Sequence, residues 1–153
     1  MKTISKYIFI LATLSILAFS TSCQKDQEAE DREIIENYIS EHKLNAVEYQ
    51  NSGLFYVIEK EGGSQHPTKY SQITINYKGY LTNGSVFDSN DNIMFSLDRL
   101  IVGWQLGIPL IGESGTIKLL IPSGMAYGKI SKPNIPANSV LIFDIDLLLF
   151  NSI

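Results

Sequence analysis

Residues 73–88 read ITINYKGYLTNGSVFD and contain two strand-like segments joined by a turn signal. Every second residue from Ile73 to Tyr77 is apolar, which is the period of a half-buried β-strand. Asn83-Gly84 is a strong hairpin signal, because both central residues of a tight primed turn have φ above zero. Val86–Asp88 is then the returning strand. This stretch predicts that the fold is built on an antiparallel β-sheet.

The rest of the chain adds further strands and one short helix. Residues 102–108 favour a helix, and Pro109 should end it at the preceding residue. Several antiparallel strands curling around one short helix indicate an α+β fold. Alternation, or a high content of β-branched and aromatic residues, predicts four further strands. They are Leu54–Glu59, Met94–Leu97, Thr116–Ile121 and Ser139–Phe150.

The composition indicates one globular domain and excludes several classes of function. The chain has 153 residues, of which 44% are apolar and 18% charged, so it can bury an ordinary core. Its formal charge of −4 argues against a nucleic-acid-binding protein, which usually presents a basic face. One cysteine excludes an internal disulfide framework, and His42 and His66 have no ligands at suitable spacing. We therefore expect no metal site.

The first 23 residues have the features of an export signal. Lys2 and Lys6 precede a run of 13 apolar or small residues, 7–19, which is shorter than the roughly 20 residues that a membrane-spanning helix needs. Small residues then lead to Cys23, the only cysteine. This arrangement resembles a bacterial lipoprotein signal, in which the cysteine is lipidated and becomes the mature N-terminus; the alternative is a plain signal peptide. The resemblance implies an exported protein, anchored by lipid to the bacterial cell envelope at the outer membrane or periplasmic face.

Two segments connect this signal to the strands. Residues 24–32 (QKDQEAEDR) contain no apolar residue larger than alanine and predict a solvated tether. Glu33–Lys43 (EIIENYISEHK) has four apolar residues at helical spacing and predicts a short amphipathic helix. The helix could pack on the domain, pair with another copy or act as a connector. We divide the chain into a signal peptide (1–22), a tether with a helix (23–47) and a folded domain (48–153).

Six motifs in the domain occur in the order and near the spacing seen in FKBP-type peptidyl-prolyl cis-trans isomerases. The similarity extends from about residue 54 to residue 150, so the domain resembles that family. The resemblance implies a curved antiparallel sheet of five or six strands, half-wrapped around one short helix, with a substrate pocket between them. The motifs are Asn76–Leu81 (NYKGYL), Val86–Ser89 (VFDS), Leu100–Trp104 (LIVGW), Ala126–Gly128 (AYG), Ile135-Pro136 and Leu141–Leu147 (LIFDIDL).

The chemistry of the family requires a ring-lined pocket and no cofactor. An Xaa-Pro amide prefers trans by only about 0.5–1 kcal/mol, but the barrier to rotation is ~18–20 kcal/mol. No covalent bond has to break, because the barrier is the loss of amide resonance. A dry apolar slot favours the twisted amide, since this state separates less charge than the planar one.

The resemblance assigns four residues to the catalytic part of the pocket. Tyr77 and Phe87 form its walls, and the Tyr127 hydroxyl donates to a peptide carbonyl. Asp88 faces the carbonyl carbon without acting as a general base. Taken singly, Tyr77 and Phe87 are more often core residues than site residues at such strand positions, and Asp88 could instead cap a turn at residues 89–92.

The resemblance also assigns six residues to substrate binding. Trp104 forms the floor under the proline ring, and the backbone N–H of Ile101 holds a substrate carbonyl. The remaining wall and rim residues are Phe95, Leu100, Ile135 and Phe143.

The chain departs from the family pattern in two places. The segment after Asp88 is short and lacks the arginine that usually pairs with this position, which bears on the efficiency of catalysis. Residues 132–136 (KPNIP) place Lys132 and Asn134 where histidine and an aliphatic residue are common. This difference at the rim is expected to alter peptide preference and the affinity for macrolide inhibitors, which the family implies as ligands.

The sequence therefore predicts a prolyl isomerase that acts on proline-containing segments of exported proteins. Two alternatives stay open. The missing arginine is compatible with a chaperone or adaptor that binds proline segments without turnover. The helix at Glu33–Lys43 is compatible with a structural envelope lipoprotein, with gliding motility as one option.

Overall fold

A six-stranded antiparallel sheet forms the body of the computed structural model, which describes residues 26–151. The predicted signal peptide and Cys23 lie outside the described residues. A short helix packs on the concave face of the sheet and a longer one on its outer face, so the predicted α+β fold is confirmed. The elements are α1 (residues 26–41), β1 (Val47–Glu48), β2 (Phe55–Lys60), β3 (Gln72–Leu81), β4 (Val86–Ser96), α2 (Val102–Gly107), β5 (Gly115–Ile121) and β6 (Leu141–Asn151).

The last strand lies in the middle of the sheet. The strand order is β1-β2-β5-β6-β3-β4, so β6 pairs antiparallel with both β5 and β3. Its alternate residues from Leu141 to Leu147 enter the core on the concave side, as their period predicts. Phe143 lies opposite Gly79 of β3 and Leu119 of β5.

Helix α2 approaches the concave face closely because two glycines face β5. A Cβ atom on Gly103 would lie 2.5 Å from Cγ2 of Ile121, and one on Gly107 would lie 2.5 Å from Cδ2 of Leu119. Neither glycine has a positive φ, so the requirement is space and not backbone conformation. As predicted, the α-helix ends before Pro109, where a 3-10 turn follows.

The β3–β4 hairpin forms where Asn83-Gly84 predicts it, but with a different turn. Only Gly84 has a positive φ, of 83°; Asn83 does not, so the expected primed turn was wrong. The Gly84 N–H donates to the Leu81 carbonyl at 2.9 Å. A turn that is closed by this hydrogen bond and ends in a left-handed glycine is the usual three-residue hairpin loop.

Strand β4 is continuous, so the prediction of a separate short strand at Met94–Leu97 was wrong. A bulge lets the strand continue, because Asp91 and Asn92 together lie opposite Asn76. Asn92 has a φ of 52°, and its N–H donates to the side-chain oxygen of Asn76 at 2.9 Å. This hydrogen bond crosses between strands and cannot be inferred from local periodicity.

The predicted tether is partly wrong, because residues 26–32 belong to α1. The helix packs on the outer face of the sheet, where Ile35 lies in a buried cluster with Phe55, Leu120 and Val140. Of the three possibilities for this helix, packing on its own domain is the one observed. The folded unit therefore includes α1, and a boundary at residue 48 would separate the helix from the sheet that it covers.

The close packing of α2 yields a stability prediction. We expect Gly103→Ala to lower the free energy of unfolding by about 1–3 kcal/mol, since Ile121 must move away from the new methyl group. Gly124→Ala is the matched control, because a Cβ there has no neighbour within 4 Å and φ is not positive. Urea denaturation measures both variants. Equal stability of the two would contradict the proposed close contact.

Candidate active site

A cavity of about 510 Å³ lies between the concave face of the sheet, α2 and the loop that follows β5. All ten residues that the sequence assigns to catalysis or substrate binding line this cavity. They come from β3, β4, β6, the start of α2 and the loop, so the fold brings together positions that are far apart in sequence. They are Tyr77, Phe87, Asp88, Phe95, Leu100, Ile101, Trp104, Tyr127, Ile135 and Phe143.

The indole of Trp104 lies among three other aromatic rings. Its centroid is 5.0 Å from that of Phe143, 5.2 Å from that of Tyr77 and 6.2 Å from that of Phe95, all in edge-on geometry. Only 4% of the residue is exposed, and its Nε1–H has no hydrogen-bond partner among the described residues. The site around Trp104 is therefore apolar, and edge-on ring contacts stabilise it.

Gly79 leaves the space in which the rings of Phe87 and Phe143 meet across the sheet. The rings of Phe87 and Phe143 are 5.5 Å apart and nearly perpendicular. A Cβ atom on Gly79 would lie 2.6 Å from a carbon of each ring. The glycine in the NYKGYL motif is therefore explained by the space that the rings need.

Asp88 is oriented by a tyrosine in place of the missing arginine. The Tyr77 hydroxyl donates to Oδ2 of Asp88 at 2.6 Å, and Asn90 Nδ2 donates to the Tyr77 oxygen at 3.3 Å. Burial raises the pKa of Tyr77, and the hydrogen bond to Asp88 raises it further. The phenol therefore stays protonated at neutral pH and keeps its role as donor. Asp88 lies within β4 and its carboxylate accepts from Tyr77, so it does not serve as the cap of a turn at residues 89–92.

Two further polar groups are available at the cavity edge. Ile101 is the N-cap residue of α2, and its carbonyl accepts from Trp104 and Gln105. Its own N–H precedes the helix and is not part of the helical hydrogen bonding. Tyr127 lies on the loop after β5, where the Nζ atom of Lys132 is 5.4 Å from its ring centroid.

Sequence reasoning missed one cavity residue, Arg99, and identified Lys132 only as a rim residue. Both line the cavity with Pro133, and neither has a carboxylate partner among the described residues. The mouth of the cavity therefore has two cations beside the single carboxylate of Asp88. Arg99 directly precedes the LIVGW motif, which is the only signal that could have pointed to it. No cluster of metal-ligating side chains occurs between residues 26 and 151.

Trp104 offers a direct test of what the cavity binds. It is the only tryptophan in the chain, so a ligand that covers the indole should change the fluorescence emission. We expect a saturable change with a Leu-Pro peptide and a much weaker one with the matched Leu-Ala peptide. An identical response to the two peptides would show that the cavity does not select proline.

The chain shows family-wide and pairwise similarity to known proteins. The pattern of the FKBP-type peptidyl-prolyl cis-trans isomerase family matches residues 63–148. The FKBP-type peptidyl-prolyl cis-trans isomerase FkpA of Buchnera aphidicola subsp. Schizaphis graminum is 45% identical over 111 residues, covering 69% of this chain and 44% of the relative. FkpA of Escherichia coli K12 is 38% identical over 127 residues, covering 80% and 46%. The chain thus matches about half the length of these curated relatives.

Solved structures show the same fold. The crystal structure of FkpA from Escherichia coli has a TM-score of 0.72 at 30% identity, with 98% of this chain and 72% of that chain covered. AtFKBP13 has a TM-score of 0.59 at 32% identity, with 64% and 93% covered. Together with the match over residues 63–148, these similarities identify the chain as a member of the FKBP-type peptidyl-prolyl cis-trans isomerase family.

Proposed function

We propose that this protein catalyses cis-trans isomerisation of Xaa-Pro peptide bonds in polypeptide segments. The observation that carries the proposal is the ring-lined cavity above Trp104, in which the polar groups lie at the edge and the rings at the floor and walls. Membership of the family agrees with this chemistry.

The site can lower the barrier without covalent catalysis. The proline ring fits against the indole of Trp104, with Phe87 and Phe143 at its sides. The apolar surroundings remove water from the amide and favour the rotated state, in which less charge is separated across the C–N bond. Catalysis follows because this stabilisation is larger for the twisted than for the planar amide.

Three polar groups hold the peptide on either side of the rotating bond. The N–H of Ile101 and the hydroxyl of Tyr127 can each donate to a substrate carbonyl. Asp88, fixed by the hydroxyl of Tyr77, faces the carbonyl carbon and is not required to move a proton. The remaining residues, Phe95, Leu100 and Ile135, complete the apolar rim.

The contacts of Asp88 and of α1 argue against the two alternative functions, a binding module and a structural lipoprotein. The binding-only alternative rests on an Asp88 left without orientation, but Tyr77 supplies a 2.6 Å hydrogen bond. The structural-lipoprotein alternative rests on a free apolar face of the N-terminal helix, but α1 buries Ile35 against its own sheet. Catalysis is therefore the function that the geometry supports best, and nothing in the described residues favours gliding.

The decisive experiment compares turnover of Xaa-Pro peptides by the protein and three variants. We expect Phe87→Ala and Asp88→Ala each to lower kcat/KM at least about tenfold, or ~1.4 kcal/mol of transition-state stabilisation. Val47→Ala is the control, because Val47 is 54% exposed on β1 and does not line the cavity. A protease-coupled assay measures the rate.

Each outcome of this assay decides between the functions. No acceleration by the wild-type protein across varied Xaa residues would overturn the enzyme proposal. A Trp104 response to peptide without turnover would then favour the binding module. If both site variants equalled the wild type while folding normally, the roles given to Phe87 and Asp88 would be wrong.

We further propose that the protein is exported and anchored to the cell envelope through a lipid on Cys23. The support is the charged start, short apolar run and small residues before the only cysteine. In residues 26–151 we find no helix with the length and hydropathy of a membrane span. Its substrates would then be proline-containing segments of exported proteins, because slow prolyl isomerisation can limit the folding of such proteins.

We also propose that macrolide inhibitors enter the same pocket, with affinity altered by Lys132.

The lipid proposal makes a prediction about cell fractionation. In a bacterium that processes lipoproteins, Cys23→Ser should move the protein out of the membrane fraction and abolish incorporation of labelled fatty acid. Ser20→Ala, which leaves the cysteine in place, should behave like the wild type. Recovery of the wild-type protein in the soluble fraction without label would instead favour a plain signal peptide.

A further inference from the structure

A buried carboxylate outside the cavity accepts three hydrogen bonds, two of them from a residue 92 positions away in the chain. Asp31 of α1 is 1% exposed and does not line the cavity. Its Oδ2 atom accepts from the backbone N–H of Ser123 at 2.8 Å and from the hydroxyl of Ser123 at 2.6 Å. Its Oδ1 atom accepts from Gln27 Nε2 at 2.9 Å. A carboxylate removed from water in this way is tolerated because both oxygens are hydrogen-bonded.

Ser123 begins the turn that carries Tyr127 into the cavity. Its carbonyl accepts from the N–H of Ala126 at 3.0 Å and from the N–H of Gly128 at 2.8 Å. Tyr127 is therefore held between two residues that are both bonded to Ser123. Gly128 has a φ of 55°, which turns the chain directly after Tyr127. The position of the Tyr127 side chain thus depends on where Ser123 lies.

We propose that Asp31 is a positioning residue for the prolyl isomerase site, which acts through Ser123 to hold the Tyr127 hydroxyl. The proposal rests on the proposed function for its activity readout. It makes α1 part of the scaffold of the site, although this helix lies before residues 63–148, which match the family. Asp31 itself touches no substrate.

The contact is strongest when residue 31 is a carboxylate. Both donors of Ser123 converge on one oxygen, and Gln27 donates to the other. An asparagine has only one carbonyl oxygen and no charge, so it can accept from both donors of Ser123 only through neutral hydrogen bonds, which are weaker than those to a carboxylate. Asp31→Asn is therefore nearly equal in shape but weakens both hydrogen bonds to Ser123.

The test compares Asp31→Asn with a control on the same helix. Ile35→Ala is that control, because Ile35 is fully buried in the α1–sheet contact and its apolar side chain cannot form a hydrogen bond with Ser123. We expect Asp31→Asn to lower kcat/KM about fivefold, and Ile35→Ala to lower the unfolding midpoint at least as much but kcat/KM less than about twofold. Circular dichroism confirms that both variants are folded at the assay temperature.

A double-mutant cycle with Tyr127→Phe separates positioning from a general loss of structure. If Asp31 acts through the Tyr127 hydroxyl, Asp31→Asn should have little further effect on kcat/KM in the Tyr127→Phe background. The proposal would be overturned if Asp31→Asn lowered kcat/KM equally in the wild-type and Tyr127→Phe backgrounds. It would also be overturned if Ile35→Ala lowered kcat/KM as much as Asp31→Asn does.

The proposal can also be tested if the protein has no turnover. The same cycle is then measured as the Kd for a Leu-Pro peptide, from the fluorescence of Trp104. Failure of catalysis with a non-additive cycle in binding would reject the isomerase and retain the positioning role. An additive cycle in binding would reject the positioning role.

Discussion

Close contact between α2 and the concave face of the sheet is the constraint on which the pocket depends. The helix can approach β5 only because Gly103 and Gly107 have no side chains where Ile121 and Leu119 lie. Trp104 is thereby held at the floor of a cavity and surrounded by rings from three strands. A side chain at either glycine would displace the helix and the indole with it.

Strand β5 connects the two helices and the site. Leu119 and Ile121 face α2 on the concave side, while Leu120 between them belongs to the cluster under α1 on the outer side. The chain leaving this strand reaches Ser123, which α1 holds through Asp31. The position of the loop on which Tyr127 lies thus depends on the contacts that β5 makes on both faces of the sheet.

Much of the fold and of the site could be predicted because it depends on local pattern. Alternation defined β3, β5 and β6 to within two residues, and Pro109 marked the end of α2. Nine of the ten predicted site residues could be named because they belong to the six family motifs; Phe95 lies outside those motifs, and all ten line one cavity. The error at Met94–Leu97 lies where a contact between two strands decides the backbone, at the bulge of Asn92 against Asn76.

By itself, the sequence determined the strand periods, the aromatic set around Trp104 and the family to which the chain belongs. Only the tertiary structure decided that Asp88 is oriented by Tyr77, that Arg99 lies at the cavity mouth and that residues 26–32 are helical. The physical reason is the range of the interactions. Periodicity records which face of an element is buried, whereas the partner of a polar side chain such as Asp31 lies 92 residues away and is specified only when the chain has folded.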